Sequence, residues 1–262
     1  MKTGNLQKYF FRTGMAALWA IVSFGCRALP EEKLPELIAV RSESPIVPDG
    51  RPDDAVWKQC EGYPLQIPRD RRTAPGSFQG GTVKLAYDRE CLYLLAELRD
   101  DDIVQYGTEN HTLLFTTGDV IELFLWPENG TRYWEFHGTP NGCCAAFMFS
   151  GPGRRILEAA RRPELNFPVG VVLHGTLNDD SDADLGWTAE LAIPIAELLK
   201  FGNQLSDRWR ILVARYNYSK TLPALEYSAT SRLPLTDFHR GEWYGYLQFR
   251  PEAVNYQDKA NK

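Results

Sequence analysis

Glu122 is the one carboxylate inside the apolar run Val120–Trp126, within the stretch GDVIELFLWPENGTRYWEFHGTPNG, Gly118 to Gly142. On a strand, Val120, Glu122 and Phe124 share one face while Ile121, Leu123 and Leu125 share the other, so both faces are apolar except for this acid. A buried carboxylate is costly unless it is paired or hydrogen-bonded. Two readings follow. One is a buried ion pair, with Arg215 as the partner because it continues the Trp209, Ile211, Val213 face of its own strand. The other is a polar anchor in an aromatic cleft, accepting hydrogen bonds from ligand hydroxyls.

A second aromatic feature favours the ligand reading. Leu235 to Tyr246 reads LTDFHRGEWYGY, placing Phe238 and Trp243 in a polar, glycine-containing segment outside any strand pattern. Sugars present C–H-rich faces to aromatic rings and hydroxyls to planar polar groups, so Phe238 or Trp243 is a candidate platform. Capping of one open end of a sandwich is the plainer alternative.

Catalytic motifs are missing from the sequence. It has no G-x-S-x-G, no H-E-x-x-H and no P-loop, and Gly151-Pro152-Gly153 lacks the rest of a dinucleotide fingerprint. The four histidines, His111, His137, His174 and His239, show no metal-ligand spacing on one element. Asp180, Asp182 and Asp184 begin like a calcium loop, but the sixth position is not glycine and Leu191 holds the twelfth, which excludes an EF-hand and leaves a solvated acidic loop or an irregular calcium site. The same alternatives hold for Asp100-Asp101-Asp102.

The elements that must position these residues are strands. Val83–Tyr87 and Leu92–Leu98 flank Asp88-Arg89-Glu90-Cys91 as a hairpin, and Ile121–Trp126 with Arg132–His137 form a second one. Cys144–Phe149, Val171–His174, Trp187–Ile193, Trp209–Ala214 and Tyr244–Phe249 complete about nine strands, with one short helical stretch at Ile195–Phe201 after Pro194. The expected fold is an all-β, antiparallel, jelly-roll-like β-sandwich.

Of the 262 residues, 44% are hydrophobic and 24% charged, which is a globular composition. The formal net charge is −5. There is no basic stripe with interleaved aromatics, so nucleic acid is not an expected partner. Lys2, Lys8 and Arg12 precede an apolar stretch from about Gly14 to Gly25, as in a secretory signal. Ser23-Phe24-Gly25-Cys26 is lipobox-like, with Cys26 as the acceptor. Lipidation at Cys26, cleavage near Ala28 and an uncleaved anchor all lead out of the cytoplasm, to the periplasm, an outer-membrane-anchored position or the outside of a bacterium. The expected layout is a signal over 1–26, a Pro- and Glu-rich linker over 27–47, one domain over 48–250 and a tail over 251–262. Cys60, Cys91, Cys143 and Cys144 remain after export, either with a bridge from the Cys143–Cys144 pair to Cys60 or Cys91 or as four free thiols.

Taken in order, several motifs resemble carbohydrate-binding module family 9 and the wider DOMON-like sandwich group, over Val47 to Phe249. They are Asp49-Gly50 through Trp57, Val83–Asp88 through Leu92-Tyr93 and Asp100-Asp101, then Asp119, Glu122 and Phe124. Gly186-Trp187-Thr188-Ala189-Glu190-Leu191-Ala192-Ile193-Pro194 and Phe238 through Leu247 complete the set. The resemblance implies a glycan-binding sandwich that holds a sugar between two aromatic rings, with structural calcium. It implies that Glu122 binds sugar hydroxyls, that His137 stands where the family can have Arg, and that Phe238 supplies one ring. The second ring falls at Thr116, with Phe115 beside it, where the family can have Trp.

The expected function is that of an exported, non-catalytic binder of a poly- or oligosaccharide, serving polysaccharide catabolism. A glycoside hydrolase or lyase is one alternative. A b-type haem domain using Met148 with His137 or His174 is another.

Overall fold

The structure is a computed structural model that describes residues 33–71, 76–151 and 160–250. The signal segment, Cys26 and the tail over 251–262 lie outside these residues. Among them run twelve strands: β1 Glu36–Arg41, β2 Tyr63–Pro64, β3 Gly81–Tyr87, β4 Cys91–Arg99, β5 Val120–Pro127, β6 Arg132–Gly138, β7 Cys144–Ser150, β8 Val169–His174, β9 Gly186–Pro194, β10 Trp209–Asn217, β11 Glu226–Ala229 and β12 Gly245–Arg250. Among the described residues helix is confined to short pieces, with an α-helical turn at Ile195–Leu198. The chain is therefore the all-β fold expected, with three strands beyond the nine.

The strands hydrogen-bond in the order β7-β6-β5-β10-β12-β1-β3-β4-β9-β8, with β11 added to β10 and β2 to β3. Strands β5, β6, β7, β10 and β11 form one half, and β3, β4, β8 and β9 the other. The halves face each other across a shared core that takes Ile121, Leu123, Phe136, Trp134 and Trp209 from one side and Leu85, Leu94, Trp187 and Leu191 from the other. A Cβ added at Gly138 of β6 would meet Leu191 Cδ1 of β9 at 2.8 Å, so glycine there lets the two layers close. Because successive residues alternate between faces, each half carries a second set of apolar residues on its outside. Outside the β7-β6-β5-β10-β11 half lie Phe124, Tyr133, Ala145, Phe147, Phe149, Leu212 and Ala214. Outside the other half lie Val40, Ala86, Tyr93 and Leu95, covered by Trp57.

One expectation needs correction here. The segment read as a linker contains β1, with Leu37 and Ala39 fully buried. This strand runs parallel to both β12 and β3, the only parallel pairings among the described strands of an otherwise antiparallel sandwich. It joins the two halves. Composition misled because the flanking prolines and glutamates surround a six-residue strand whose partners are distant in sequence. The entry motif at Asp49–Trp57 is clamped by buried Glu190, whose carboxylate accepts from the amides of Asp49 and Gly50, each at 2.9 Å, and from Trp57 Nε1 at 2.8 Å.

All four described cysteines are free thiols. Cys143 lies with the outer cluster of the first half, Cys144 in the shared core, and Cys60 and Cys91 against the outer cluster of the second half. That separation rules against the bridge between the two cysteine groups and leaves the free-thiol alternative.

Candidate functional site

The hairpin of β5 and β6 sets the polar residues of the first half. Its register pairs Glu122 with His137 and Phe124 with Glu135, which places Glu122, Glu135 and His137 on the outer face together. His137 Nε2 lies 2.6 Å from Glu135 Oε1 and 3.2 Å from Glu122 Oε1. His137 is fully buried, and Glu122 and Glu135 are nearly so.

Rings surround this cluster. Phe147 stands 5.1 Å from His137, and Phe115 stands 6.1 Å from it in edge contact. Phe115 continues to Tyr216 at 5.5 Å, and Tyr216 to Phe238 at 5.6 Å and Tyr227 at 5.0 Å. On the far side His239 packs against Phe124 and Phe149, and its Nδ1 lies 2.9 Å from the Tyr133 hydroxyl. The face thus carries one polar cluster inside an aromatic frame.

Phe115 turns inward because the chain before β5 is tied down. Gly118 has φ +155, and a Cβ there would sit 2.2 Å from the Val104 carbonyl oxygen, so only glycine brings the two segments this close. Asp119 then accepts from the amides of Val104 at 2.7 Å and Tyr218 at 2.6 Å, and the Tyr218 hydroxyl donates to the Phe115 carbonyl at 2.6 Å. Burial, and secondly the nearby Asp100 carboxylate, push the Asp119 carboxyl well above the ordinary range, with Arg215 opposing them.

The sequence-level candidates fall into distinct places. Glu122, His137 and Phe115 come together. Phe238 lies on the same face but is only 4% exposed, packed behind Tyr216 and Tyr227, so it backs the exposed rings and does not offer a free stacking surface. Trp243 is half-buried at the margin, 5.6 Å from the Arg240 guanidinium. Glu135, Tyr216, Tyr227 and His239 were not singled out from sequence. Glu135 and His137 share the alternation of β6, so the hairpin register carried that signal, whereas His239 in its loop gave none.

Arg215 is not the partner of Glu122. Ala214 is the residue opposite Glu122, so Arg215 points into the other face, where its guanidinium is 2.7 Å from Asp100 Oδ2 and also donates to the carbonyls of Arg99 and Gly80. The pairings named for haem are not brought together, because Met148 packs against the shared core while His137 faces outward and His174 is exposed at the end of β8. Asp101 and Asp184 of the acidic runs anchor loops. Asp184 accepts from the amides of Ile103 and Thr176, and Asp101 accepts from Ser219 and Thr221 hydroxyls.

No protein-family model matches the chain, and no curated protein does. Solved structures do. One is a Bacteroides uniformis protein whose carbohydrate binding is itself only proposed, with TM-score 0.62, 16% identity, and coverage of 83% of this chain and 100% of that one. A family 9 carbohydrate-binding module from Caldicellulosiruptor kristjanssonii matches in two complexes at TM-score 0.52 and 16% identity. These cover 85% of this chain, with 96% of the cellotriose-bound chain and 100% of the glucose-bound chain. At such identity the likeness is one of fold, and it supports the family 9 resemblance at that level.

Proposed function

We propose that this chain is an exported, non-catalytic carbohydrate-binding protein that takes a poly- or oligosaccharide on the outer face of its β7-β6-β5-β10-β11 half. The observation that carries the reading is Glu122 set beside His137 within a frame of aromatic rings. Sugar recognition needs those two things, flat rings for the C–H faces and charged or planar groups for the hydroxyls. The structural neighbours that hold cellotriose and glucose support it, and they make β-glucan oligosaccharides the first probes.

Glu122 is 2% exposed, so a hydroxyl reaches it only when the covering groups yield. Phe115 and Tyr216, half-buried at the rim, are the rings with room to do so. Phe115 takes the place of the second stacking ring, with Tyr216 and Tyr227 as the partners that Phe238 supports. Glu122 and Glu135 converge on one imidazole instead of facing each other across an open gap, which gives a hydrolytic carboxylate pair no support. Export through the N-terminal signal, with a lipid at Cys26, would place the domain at a membrane surface facing external glycans. The test is binding of a glycan panel by the mature protein and by Glu122→Gln. Saturable binding lost on substitution supports the reading, and absence of binding by wild type overturns it.

A further inference from the structure

Behind the rings, four side chains with metal-ligating atoms converge from three parts of the chain. Glu122 comes from β5, Glu135 and His137 from β6, and His239 from the loop before β12. One ligand atom each from Glu122, Glu135 and His137 lies within 4.8 Å of the others. Glu135 Oε2 continues toward His239 Nε2 at 3.8 Å.

We propose that Glu122, Glu135, His137 and His239 hold one divalent first-row transition-metal ion of the zinc kind. In a tetrahedral site with bonds of about 2.0–2.1 Å, neighbouring ligand atoms stand roughly 3.3 Å apart. The separations of 3.2 Å from His137 to Glu122 and 2.6 Å from His137 to Glu135 are close to that, and entry of an ion asks only that the shorter contact open slightly. Two carboxylate oxygens and an imidazole nitrogen meeting this closely must have something positive among them, a proton or a metal.

A second observation favours the metal. Glu135 Oε2 is buried with no hydrogen-bond partner. A proton on His137 Nε2 satisfies Glu135 Oε1 and leaves Oε2 orphaned, whereas an ion between Glu135 and His239 uses that oxygen. The outer partners also fit. Tyr133 holds His239 through Nδ1 at 2.9 Å, which leaves Nε2 directed at Glu135, the arrangement that orients a ligating histidine. Imidazole and carboxylate donors in a small set suit zinc and its neighbours, while calcium takes six to eight oxygens. His239, with its side chain 13% exposed, is the open edge through which an ion enters.

This inference shares Glu122 and His137 with the sugar reading but does not depend on it, and it is tested with the metal alone. Chelator-stripped mature protein is titrated with zinc chloride by calorimetry and with cobalt(II), whose visible absorption reports tetrahedral nitrogen and oxygen ligation. The expected result is one ion per chain, lost in Glu135→Gln, with Tyr133→Phe weakening it about 10–100-fold as for other partners of ligating histidines. Since Glu135 is buried, His239→Gln at the exposed edge gives the same answer should the first variant not fold, and it too is expected to weaken binding at least tenfold. A folded wild type that takes up no zinc, or an uptake unchanged in His239→Gln, overturns the proposal and leaves a shared proton in its place. Glycan binding measured in chelator separates the two readings: sugar bound without any zinc affinity sinks the metal site alone.

Discussion

The Glu122 carboxylate and the His137 imidazole face each other across the β5–β6 hairpin, 3.2 Å apart, with the Phe115 ring in edge contact with the histidine. Neither residue is exceptional by itself. Their register, fixed by the turn between the strands, makes a polar cluster on a face otherwise built of rings. The buried carboxylate has His137 beside it, and the sugar reading adds ligand hydroxyls as further partners.

Glu122→Gln keeps the shape and removes the charge. It is expected to weaken glycan binding by about 1–3 kcal/mol, the range for a hydrogen bond to a charged group. Calorimetric titration with cello-oligosaccharides checks this, and circular dichroism confirms that the fold is retained.

Phe115 and Phe238 should separate when each is changed to alanine. Phe115 is half-buried at the rim, so its loss is expected to reduce binding by about 1 kcal/mol or more with little change in Tm. Phe238 is 4% exposed, so its loss is expected to cost about 3–5 kcal/mol of stability. Urea titration of both variants, alongside binding, distinguishes the roles.

Arg215→Met removes a fully buried guanidinium and leaves Asp100 unpaired beside Asp119. The expected loss is about 3–5 kcal/mol, the usual cost of breaking a buried pair from one side. Adding Asp100→Asn should recover part of it, a coupling that a double-mutant cycle reads directly.

Asp119 gives a pH signature. Burial and Asp100 raise its folded-state pKa above the ordinary 3.8. A raised carboxyl pKa means that its contribution is fully present below 3.8 and is lost as pH rises through the folded value. Asp119→Asn cannot titrate, so the stability gap between wild type and variant is expected to narrow as pH rises from 4 upward. Chemical denaturation at a series of pH values measures the gap, and one that widens contradicts the assignment.

The β5–β6 hairpin was legible because Pro127-Glu128-Asn129-Gly130 is a strong turn between alternating apolar runs. Which side of β5 faces inward was not legible, because both of its faces read as apolar apart from Glu122. Nor was what β5 faced, because alternation fixes faces within a strand and says nothing of which residue lies opposite. Ala214, not Arg215, proved to be the neighbour of Glu122, and a shift of one residue exchanged the faces. The strand β1 escaped notice because its pairing is parallel to strands far along the chain. Phe238 looked exposed in its polar loop, and only the folded chain brings Tyr216 and Tyr227 over it. His239 reaches the site by the same long-range closure, which local sequence does not record.

Titration of the mature wild-type protein and of Glu122→Gln with a glycan panel, cello-oligosaccharides first, tests the central claim most directly. Saturable binding by wild type that falls at least about fivefold in a folded Glu122→Gln chain is the result expected, equivalent to about 1 kcal/mol. No binding by wild type up to millimolar sugar, or equal binding by both chains, contradicts it.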